Sequence, residues 1–268
     1  MNLTVAGEPV HATTGGRPFD AAKPAVVFLH GAGLDHTVWV LQTRWFAYHG
    51  WSVLAVDLPG HGGSGGMALP SIAAIADWVP RLLDAAGIER ATLIGHSMGA
   101  LAALDCAARH SGRVAAVALL GISPRMPVHP DLLAAAERND PLAYELICDW
   151  GHGPSGHRGG HRAPGLWMLG GAERLLAKSH PGSLSVDLLA CNAYAEAETR
   201  AAELRCPALF VLGALDRMTP AKAGQGLAAK IANAKTVTLA GAGHMMMIEK
   251  PDDTLDALKA ALAAKGPS

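Results

Sequence analysis

A serine stands in the segment Gly95-His96-Ser97-Met98-Gly99, which matches the pattern G-x-S-x-G. In this pattern the serine occupies a sharp turn between a strand and a helix. Here the apolar, β-prone residues 91–94 come before it, and a helical pattern starts at Met98. Small residues at positions 95 and 99 leave room for the turn and expose the hydroxyl. The segment therefore predicts a nucleophile, Ser97, rather than a glycine-rich turn in which the serine only caps the helix.

A serine nucleophile needs a base, and the base needs an acid that orients it. His244 follows the last strand-like segment of the chain, and Asp216 follows the strand-like segment before it. The carboxyl ends of parallel strands meet at one edge of a sheet, so both side chains are expected beside Ser97. Other acids, such as Asp187 and Asp105, fall in predicted cap or helix. The sequence thus predicts a triad of Ser97, His244 and Asp216.

The segment His30-Gly31-Ala32-Gly33 follows another strand-like run, residues 25–29. A reaction at a carbonyl needs two backbone N–H groups that point at the developing oxyanion. One is expected from Met98, the residue after the nucleophile. The other is expected from Ala32, with Gly33 as the second choice. A plain glycine turn is the alternative interpretation of this segment.

Short, continuous apolar runs alternate with Ala- and Leu-rich runs of helical length. Continuous apolar runs are typical of strands buried on both faces, and the alternation predicts an α/β fold with a doubly wound, mostly parallel sheet. Residues 1–14 suit an antiparallel hairpin at the sheet edge. The predicted strands are 25–29, 52–56, 91–94, 114–120, 208–212 and 236–239, and the predicted helices are 69–86, 98–110, 221–232 and 252–264.

About 65 residues, 123–187, separate two of the predicted strands, far more than a parallel crossover needs. They contain three helical pieces and a Gly- and His-rich loop, 151–165. We predict a helical cap at 123–187 over a core made of residues 1–122 and 188–268. Candidate substrate-binding residues in and around this cap are Gly33, His96, Trp150, Trp167 and Met245.

The composition excludes several classes of function. Lys plus Arg is 22 and Asp plus Glu is 23, so the basic excess typical of nucleic-acid binding is missing. No stretch approaches the length of a membrane span, and residues 1–6 lack the pattern of a signal peptide. A cytoplasmic monomer or homodimer is expected. Three histidines of the cap, His152, His157 and His161, lack the rigid spacing of a zinc site, so no metal is expected.

Taken together, these segments resemble the α/β-hydrolase superfamily, and the resemblance covers nearly the whole chain outside the cap. It includes residues 57–64, Asp-Leu-Pro-Gly-His-Gly-Gly-Ser, which in that family form mainly a structural turn. The resemblance implies an eight-stranded sheet, a cap after the sixth strand, no cofactor and hydrolysis through an acyl-enzyme. The similarity is greatest to capped esterases and to hydrolases of aromatic ring-fission products.

The resulting functional expectation is a serine hydrolase that cleaves a carboxylic ester of a small to medium apolar substrate. A C–C bond hydrolase of ring-fission products is one alternative, although Gly33-Leu34-Asp35 lacks the proline that such relatives carry after the oxyanion glycines. A lactonase or perhydrolase with the same triad is another. A non-catalytic ligand receptor is a remote alternative, because such proteins usually lose a catalytic position and this chain keeps all three.

Overall fold

The computed structural model describes residues 1–161 and 165–262, without the side chain of Ala261. In this part of the chain eight strands form one sheet in the order β1-β2-β4-β3-β5-β6-β7-β8. The first two strands are antiparallel, and β3 to β8 are parallel to their neighbours in that series. The strands are β1 (Asn2–Val5), β2 (Glu8–Thr13), β3 (Ala25–Leu29), β4 (Ser52–Val56), β5 (Ala91–His96), β6 (Val114–Leu120), β7 (Ala208–Gly213) and β8 (Ala234–Leu239).

Helices cover both faces of the sheet, which is why the central strands have no exposed side. Every residue of β3, β4, β5 and β7 is buried. One apolar cluster joins the sheet to α2 and α3, and a second joins the opposite face to α1 and α12. The core helices are α1 (Val40–Tyr48), α2 (Ile72–Ala85), α3 (Met98–Arg109), α9 (Ala197–Glu203), α10 (Ala221–Ala228), α11 (Met246–Glu249) and α12 (Pro251–Leu262).

Among the described residues six helices stand between β6 and β7, and we call residues 130–193, which contain the first five of them, the cap. Three of them, α4, α5 and α8, share a small apolar cluster built on Leu132, Ala143 and Leu188. The boundary predicted at residue 187 falls inside α8, so the last helix of the cap continues beyond it. The cap helices are α4 (Pro130–Glu137), α5 (Leu142–Gly151), α6 (Pro154–His157), α7 (Met168–Leu176) and α8 (Ser183–Ala193).

The predicted fold class is confirmed, including the hairpin at the edge and the eight-stranded, mostly parallel sheet. Helices α1, α6, α8, α9 and α11 were not predicted. Residues 162–164 of the predicted loop 151–165, and residues 263–264 of the predicted last helix, lie outside the described residues. None of the described helices combines the length and apolarity that crossing a bilayer requires. The cytoplasmic location and the oligomeric state stay predictions.

Candidate active site

Ser97 lies in the turn between β5 and α3, in a conformation that is unusual for a residue with a side chain. Its φ is 54° and its ψ is −116°, and a non-glycine residue held there carries about 1–3 kcal/mol of strain. The neighbouring glycines make the turn possible. A Cβ at Gly95 would overlap the carbonyl oxygen of Gly99, and a Cβ at Gly99 would overlap that of Leu29. The local sequence therefore forces the serine hydroxyl out of the turn.

The loop after β3, residues 30–35, lies directly against this turn. A Cβ at Gly31 would lie 2.9 Å from Nδ1 of His96 and 3.3 Å from the Cβ of Ser97, so a larger residue would require the His96 ring to shift. The N–H groups of Ala32 and Met98 donate to no other residue within the described parts of the chain. Two backbone donors are thus available next to the serine, which is what stabilisation of an oxyanion requires.

Asp216 and His244 meet at the ends of β7 and β8. Nδ1 of His244 lies 2.8 Å from Oδ2 of Asp216, and both side chains are buried. The aspartate is held from its other side as well. Its Oδ1 accepts from the N–H groups of Met218 and Thr219, at 2.9 and 2.8 Å, and its Oδ2 accepts from the Thr219 hydroxyl at 2.7 Å. The carboxylate is therefore fixed before it orients the histidine.

The electrostatics of this pair favour an ionised aspartate. Burial by itself raises the pKa of Asp216, but the charge and hydrogen bond of His244 and the hydrogen bonds from Thr219 outweigh it. The pKa of Asp216 consequently lies below its ordinary value. An ionised Asp216 accepts the Nδ1 proton of His244, and the other ring nitrogen, Nε2, is then the basic atom.

His96 connects the serine turn to the histidine loop. Its Nε2 donates to the backbone carbonyl of His244 at 3.0 Å, and the two rings lie 4.6 Å apart. Burial, followed by the nearby charge of His244, holds the pKa of His96 well below its ordinary value. A neutral His96 therefore forms one wall of the site and carries no charge into it.

A cavity of about 310 Å³ opens between the sheet edge and the cap. Ser97 and His244 both line it, although no hydrogen bond joins the Ser97 hydroxyl to the His244 ring in the described structure. Such contacts are often open in unliganded enzymes and close on binding. The cap, together with Met126 just before it, supplies mainly apolar lining. Sequence reasoning missed this lining because no local pattern marks it: Met126, Leu132, Ile147, Leu176 and Leu188.

The predicted substrate-binding residues divide into two groups. His96, Trp150 and Met245 line the cavity, as does the loop residue Ala32. Trp167 does not fit the expectation, because its side chain is 67% exposed and its ring packs over Gly170 of its own helix. Gly33 also lies outside the lining. Its N–H donates instead to the carboxylate of Asp187, at 2.8 Å.

One group of possible metal ligands occurs among the described residues: His11, His36 and Asp57, with candidate atoms within 4.8 Å of one another. The Asp57 oxygens already accept from the backbone and ring of His36 and from the N–H of Gly63. None of the three ligands lines the cavity. Of the cap histidines, His152 is buried and its Nδ1 donates to the carbonyl of Cys148 at 3.0 Å.

Comparisons with known proteins agree with this geometry. Residues 26–257 match the family described as the alpha/beta hydrolase family. A pimeloyl-acyl-carrier protein methyl ester esterase of Aromatoleum aromaticum is 31% identical over 251 residues, which is 86% of this chain and 95% of the relative. One of the same name from Xanthomonas campestris pv. campestris is 30% identical over 258 residues, covering 90% and 96%.

A solved structure gives the same result. The enol-lactonase of Burkholderia xenovorans LB400 superposes with a TM-score of 0.87 at 25% identity, covering 98% of this chain and all of that one. The prediction of an enzyme of the carboxylic-ester hydrolase class is confirmed at the level of the family. The serine turn, the sheet order and these likenesses lead to one assignment: the chain belongs to the alpha/beta hydrolase family.

Proposed function

We propose that the chain is a serine hydrolase that cleaves a carboxylic ester of a small to medium apolar substrate through an acyl-enzyme. The observation that carries this proposal is the buried pair of His244 and Asp216, 2.8 Å apart, at the cavity into which the strained Ser97 turn opens. A base with one nitrogen fixed and the other free beside a serine is the arrangement that nucleophilic catalysis requires.

In the first half of the reaction the Ser97 hydroxyl attacks the ester carbonyl and His244 Nε2 takes its proton. The N–H groups of Ala32 and Met98 stabilise the oxyanion. When the tetrahedral intermediate collapses, the C–O bond of the ester breaks and His244 gives its proton to the leaving alcohol. Asp216 holds the ring in the correct tautomer throughout and stabilises its cation.

In the second half, water takes the place of the alcohol. His244 removes a proton from the water, the resulting hydroxide attacks the acyl carbonyl, and the acid leaves as the Ser97 hydroxyl is restored. The same two N–H groups hold the second oxyanion. One ester and one water molecule are consumed and one acid and one alcohol are released, so the sequence balances.

The cavity supports an apolar acyl group. Its volume falls at the lower end of the range for small-molecule sites, and the cap covers it with aliphatic and aromatic side chains. The relatives from Aromatoleum and Xanthomonas are named for a methyl ester, which agrees with a small alcohol as leaving group. We propose methyl esters of short to medium acyl chains as the substrate class. We also propose that the cap, predicted at 123–187 and delimited at 130–193 in the structure, selects them.

A lactonase is the second candidate. It is favoured by the likeness to the enol-lactonase, which extends over the whole of that chain. A lactone is a cyclic ester, so the same attack opens it, with the alcohol remaining attached to the acyl group. The two candidates therefore differ only in the substrate that the cavity accepts.

The test uses a panel of substrates: methyl esters of increasing acyl length, lactones and one ring-fission dienoate. Hydrolysis of each is measured from the release of protons. We expect the wild type to hydrolyse the esters. We also expect the preference for acyl length to change more in Trp150→Ala than in its matched control Trp167→Ala. Trp150 lines the cavity, so its removal should alter the ratio of kcat/KM for long and short esters by about tenfold. The exposed Trp167 should alter that ratio by less than about twofold. A wild-type protein that hydrolyses none of the esters would overturn the proposal.

A further inference from the structure

A second buried pair of histidine and aspartate lies beside the loop that carries Ala32. Nε2 of His61 lies 2.8 Å from Oδ2 of Asp187, and each side chain is 1% exposed. His61 belongs to the loop after β4, whereas Asp187 belongs to α8 of the cap. The pair therefore joins the core to the cap at a point next to the proposed oxyanion donor.

The hydrogen-bond partners of His61 determine its protonation. Its Nδ1 faces the carbonyl oxygen of Pro59 at 3.0 Å, and its Nε2 faces the carboxylate of Asp187. Both of these groups accept hydrogen bonds, so both ring nitrogens must carry protons. His61 is thus an imidazolium and Asp187 its counter-ion. Burial lowers the pKa of His61, but Asp187, the Pro59 carbonyl and Asp57 outweigh it and the pKa is raised.

A neighbouring histidine shows the opposite pattern. His30 lies 4.9 Å from His61, ring to ring. Its Nδ1 donates to the carbonyl of Gly31 at 2.8 Å, and its Nε2 accepts from the N–H of Leu58 at 3.1 Å. One donor and one acceptor make His30 neutral. Burial and the charge of His61 agree with this, since they lower the pKa of His30 to about 3.

The same oxygen of Asp187 also holds the loop after β3. Oδ2 accepts the N–H of Gly33 at 2.8 Å, in addition to the proton of His61. This N–H belongs to the peptide that follows Ala32, and Gly33 has a φ of +65°. A Cβ at Gly33 would lie 2.8 Å from Leu184 of α8, so the helix also packs directly on the loop.

We propose that Asp187 and His61 form a positioning ion pair, through which the cap holds the peptide next to Ala32 in the geometry that oxyanion binding needs. This inference rests on the proposed function, since it takes the N–H of Ala32 as an oxyanion donor. Neither residue touches the reacting atoms. The pair acts because one carboxylate oxygen receives two donors, one from each core loop.

The cap offers a matched control for this role. The hydroxyl of Ser183, one turn earlier in α8, donates to the carbonyl of Gly60 at 2.8 Å. This bond ties the same helix to the core but does not reach the loop after β3. Ser183→Ala therefore loosens the attachment of the cap, whereas Asp187→Asn also releases Gly33. In the asparagine variant no single atom can accept both donors while neutralising the imidazolium.

The experiment compares the two variants on a short methyl ester. Asp187→Asn is expected to lower kcat by about 10-fold to 100-fold, with less than about threefold change in KM, since the oxyanion donor is displaced and ground-state binding is not. Its affinity for an alkyl trifluoromethyl ketone, which forms an oxyanion on a serine, should fall in parallel. Ser183→Ala should keep kcat within about threefold of the wild type. An equal loss in both variants, or no loss in Asp187→Asn, overturns the positioning role.

Two further readouts separate this inference from the proposed function. Long-range ¹H–¹⁵N NMR of the wild-type protein should show protons on both ring nitrogens of His61, and a neutral His61 overturns the inference even if Asp187→Asn fails to fold.

If the wild type hydrolyses no ester, the proposed function fails. The positioning role is then decided by hydrogen exchange at Gly33. Exchange must be faster in Asp187→Asn than in Ser183→Ala, and equal rates overturn it.

Discussion

Two buried pairs of histidine and aspartate, His244 with Asp216 and His61 with Asp187, have the same 2.8 Å separation. They differ in the second ring nitrogen. The ring hydrogen bonds of His244 to described residues all involve Nδ1, so Nε2 is left for chemistry. Both nitrogens of His61 are occupied by acceptors. A short distance between histidine and aspartate therefore does not identify a general base, whereas an uncommitted nitrogen at a cavity does.

The largest loss of activity is expected when Ser97 is replaced, because Ser97 is the proposed nucleophile of the pair His244 and Asp216. Ser97→Ala should lower kcat by about 10⁵-fold or more while the protein stays folded, since the oxyanion donors and the binding site alone remain. Ser123→Ala is the matched control, because Ser123 is a buried serine that follows the neighbouring strand β6. The measurement is kcat on a methyl ester. A Ser97→Ala enzyme that keeps more than about a tenth of the wild-type rate would rule out this nucleophile.

The second largest loss of activity is expected at Asp216, and it can be compared directly with the loss at Asp187. Asp216→Asn should leave His244 in the wrong tautomer and lower kcat by up to about 10⁴-fold. Asp187→Asn should lower it far less, because Asp187 acts on the position of a loop. Steady-state kinetics on both variants check the order of the two losses. A larger loss in Asp187→Asn would reverse the assignment and make the cap aspartate the functional acid.

A smaller effect is expected from the loss of the Thr219 hydroxyl, which donates to Asp216, the proposed catalytic acid. The Thr219 hydroxyl donates to Asp216 at 2.7 Å inside a buried site. Thr219→Val removes this bond without changing the shape of the side chain, and kcat should fall by at most about tenfold. Thr238→Val, on the exposed part of β8, is the control and should leave kcat unchanged. Equal rates in the wild type and Thr219→Val would mean that His244 and the two backbone N–H groups fix the carboxylate without the hydroxyl.

The smallest effect is on stability as a function of pH. The folded-state pKa of His61 is raised, so the stability it contributes is fully present below the ordinary value of about 6.5 and is lost as the pH rises through the folded value. The Tm of the wild type should exceed that of Asp187→Asn at about pH 6, and the gap should narrow by about 2–4 °C towards pH 9. His36, whose pKa is also raised by Asp57, contributes equally to both proteins and cancels.

Thermal unfolding at several pH values measures this gap, with Ser183→Ala as the control that keeps the wild-type dependence. A gap of constant size across the range would contradict an imidazolium at His61. The charged groups that face His61 are Asp187 from the cap and Asp57 from its own loop, and His30 is the neutral ring beside it.

The same two pairs show how far the sequence could lead. Asp216 and His244 each follow a strand, and topology brings strand ends together, so their proximity was predictable from position alone. Asp187 lies within a helix, and its partners His61 and Gly33 are 126 and 154 residues away. No local spacing encodes that contact. A signal was present in Asp187 as the lone acid of residues 184–191, which are otherwise apolar except for Ser185, but its partner could be found only from the fold.

Helices α8 and α1 could not be predicted from the sequence for a related reason. Helix α8 buries Ser183 and Asp187 alongside its leucines, and α1 buries Gln42 and Thr43. Buried polar residues interrupt the apolar periodicity that marks a helix, and Ser183, Asp187 and Gln42 are tolerated here because each makes a hydrogen bond elsewhere in the fold. Gln42, for example, donates to the carbonyl of Met247 at 2.9 Å. The core strands β3 and β6 carry no such interruption, and β3, β4 and β6 begin and end at the predicted residues.

The central claim is that Ser97, activated by His244 and not by His61, is the nucleophile of an ester hydrolase. Labelling with a fluorophosphonate, read by intact mass and peptide mapping, tests it most directly. We expect one label per chain on Ser97 in the wild-type protein and none in Ser97→Ala. We also expect much slower labelling in His244→Gln and ready labelling in Ser123→Ala. A label on another residue, or equal labelling of the wild type and Ser97→Ala, would contradict it.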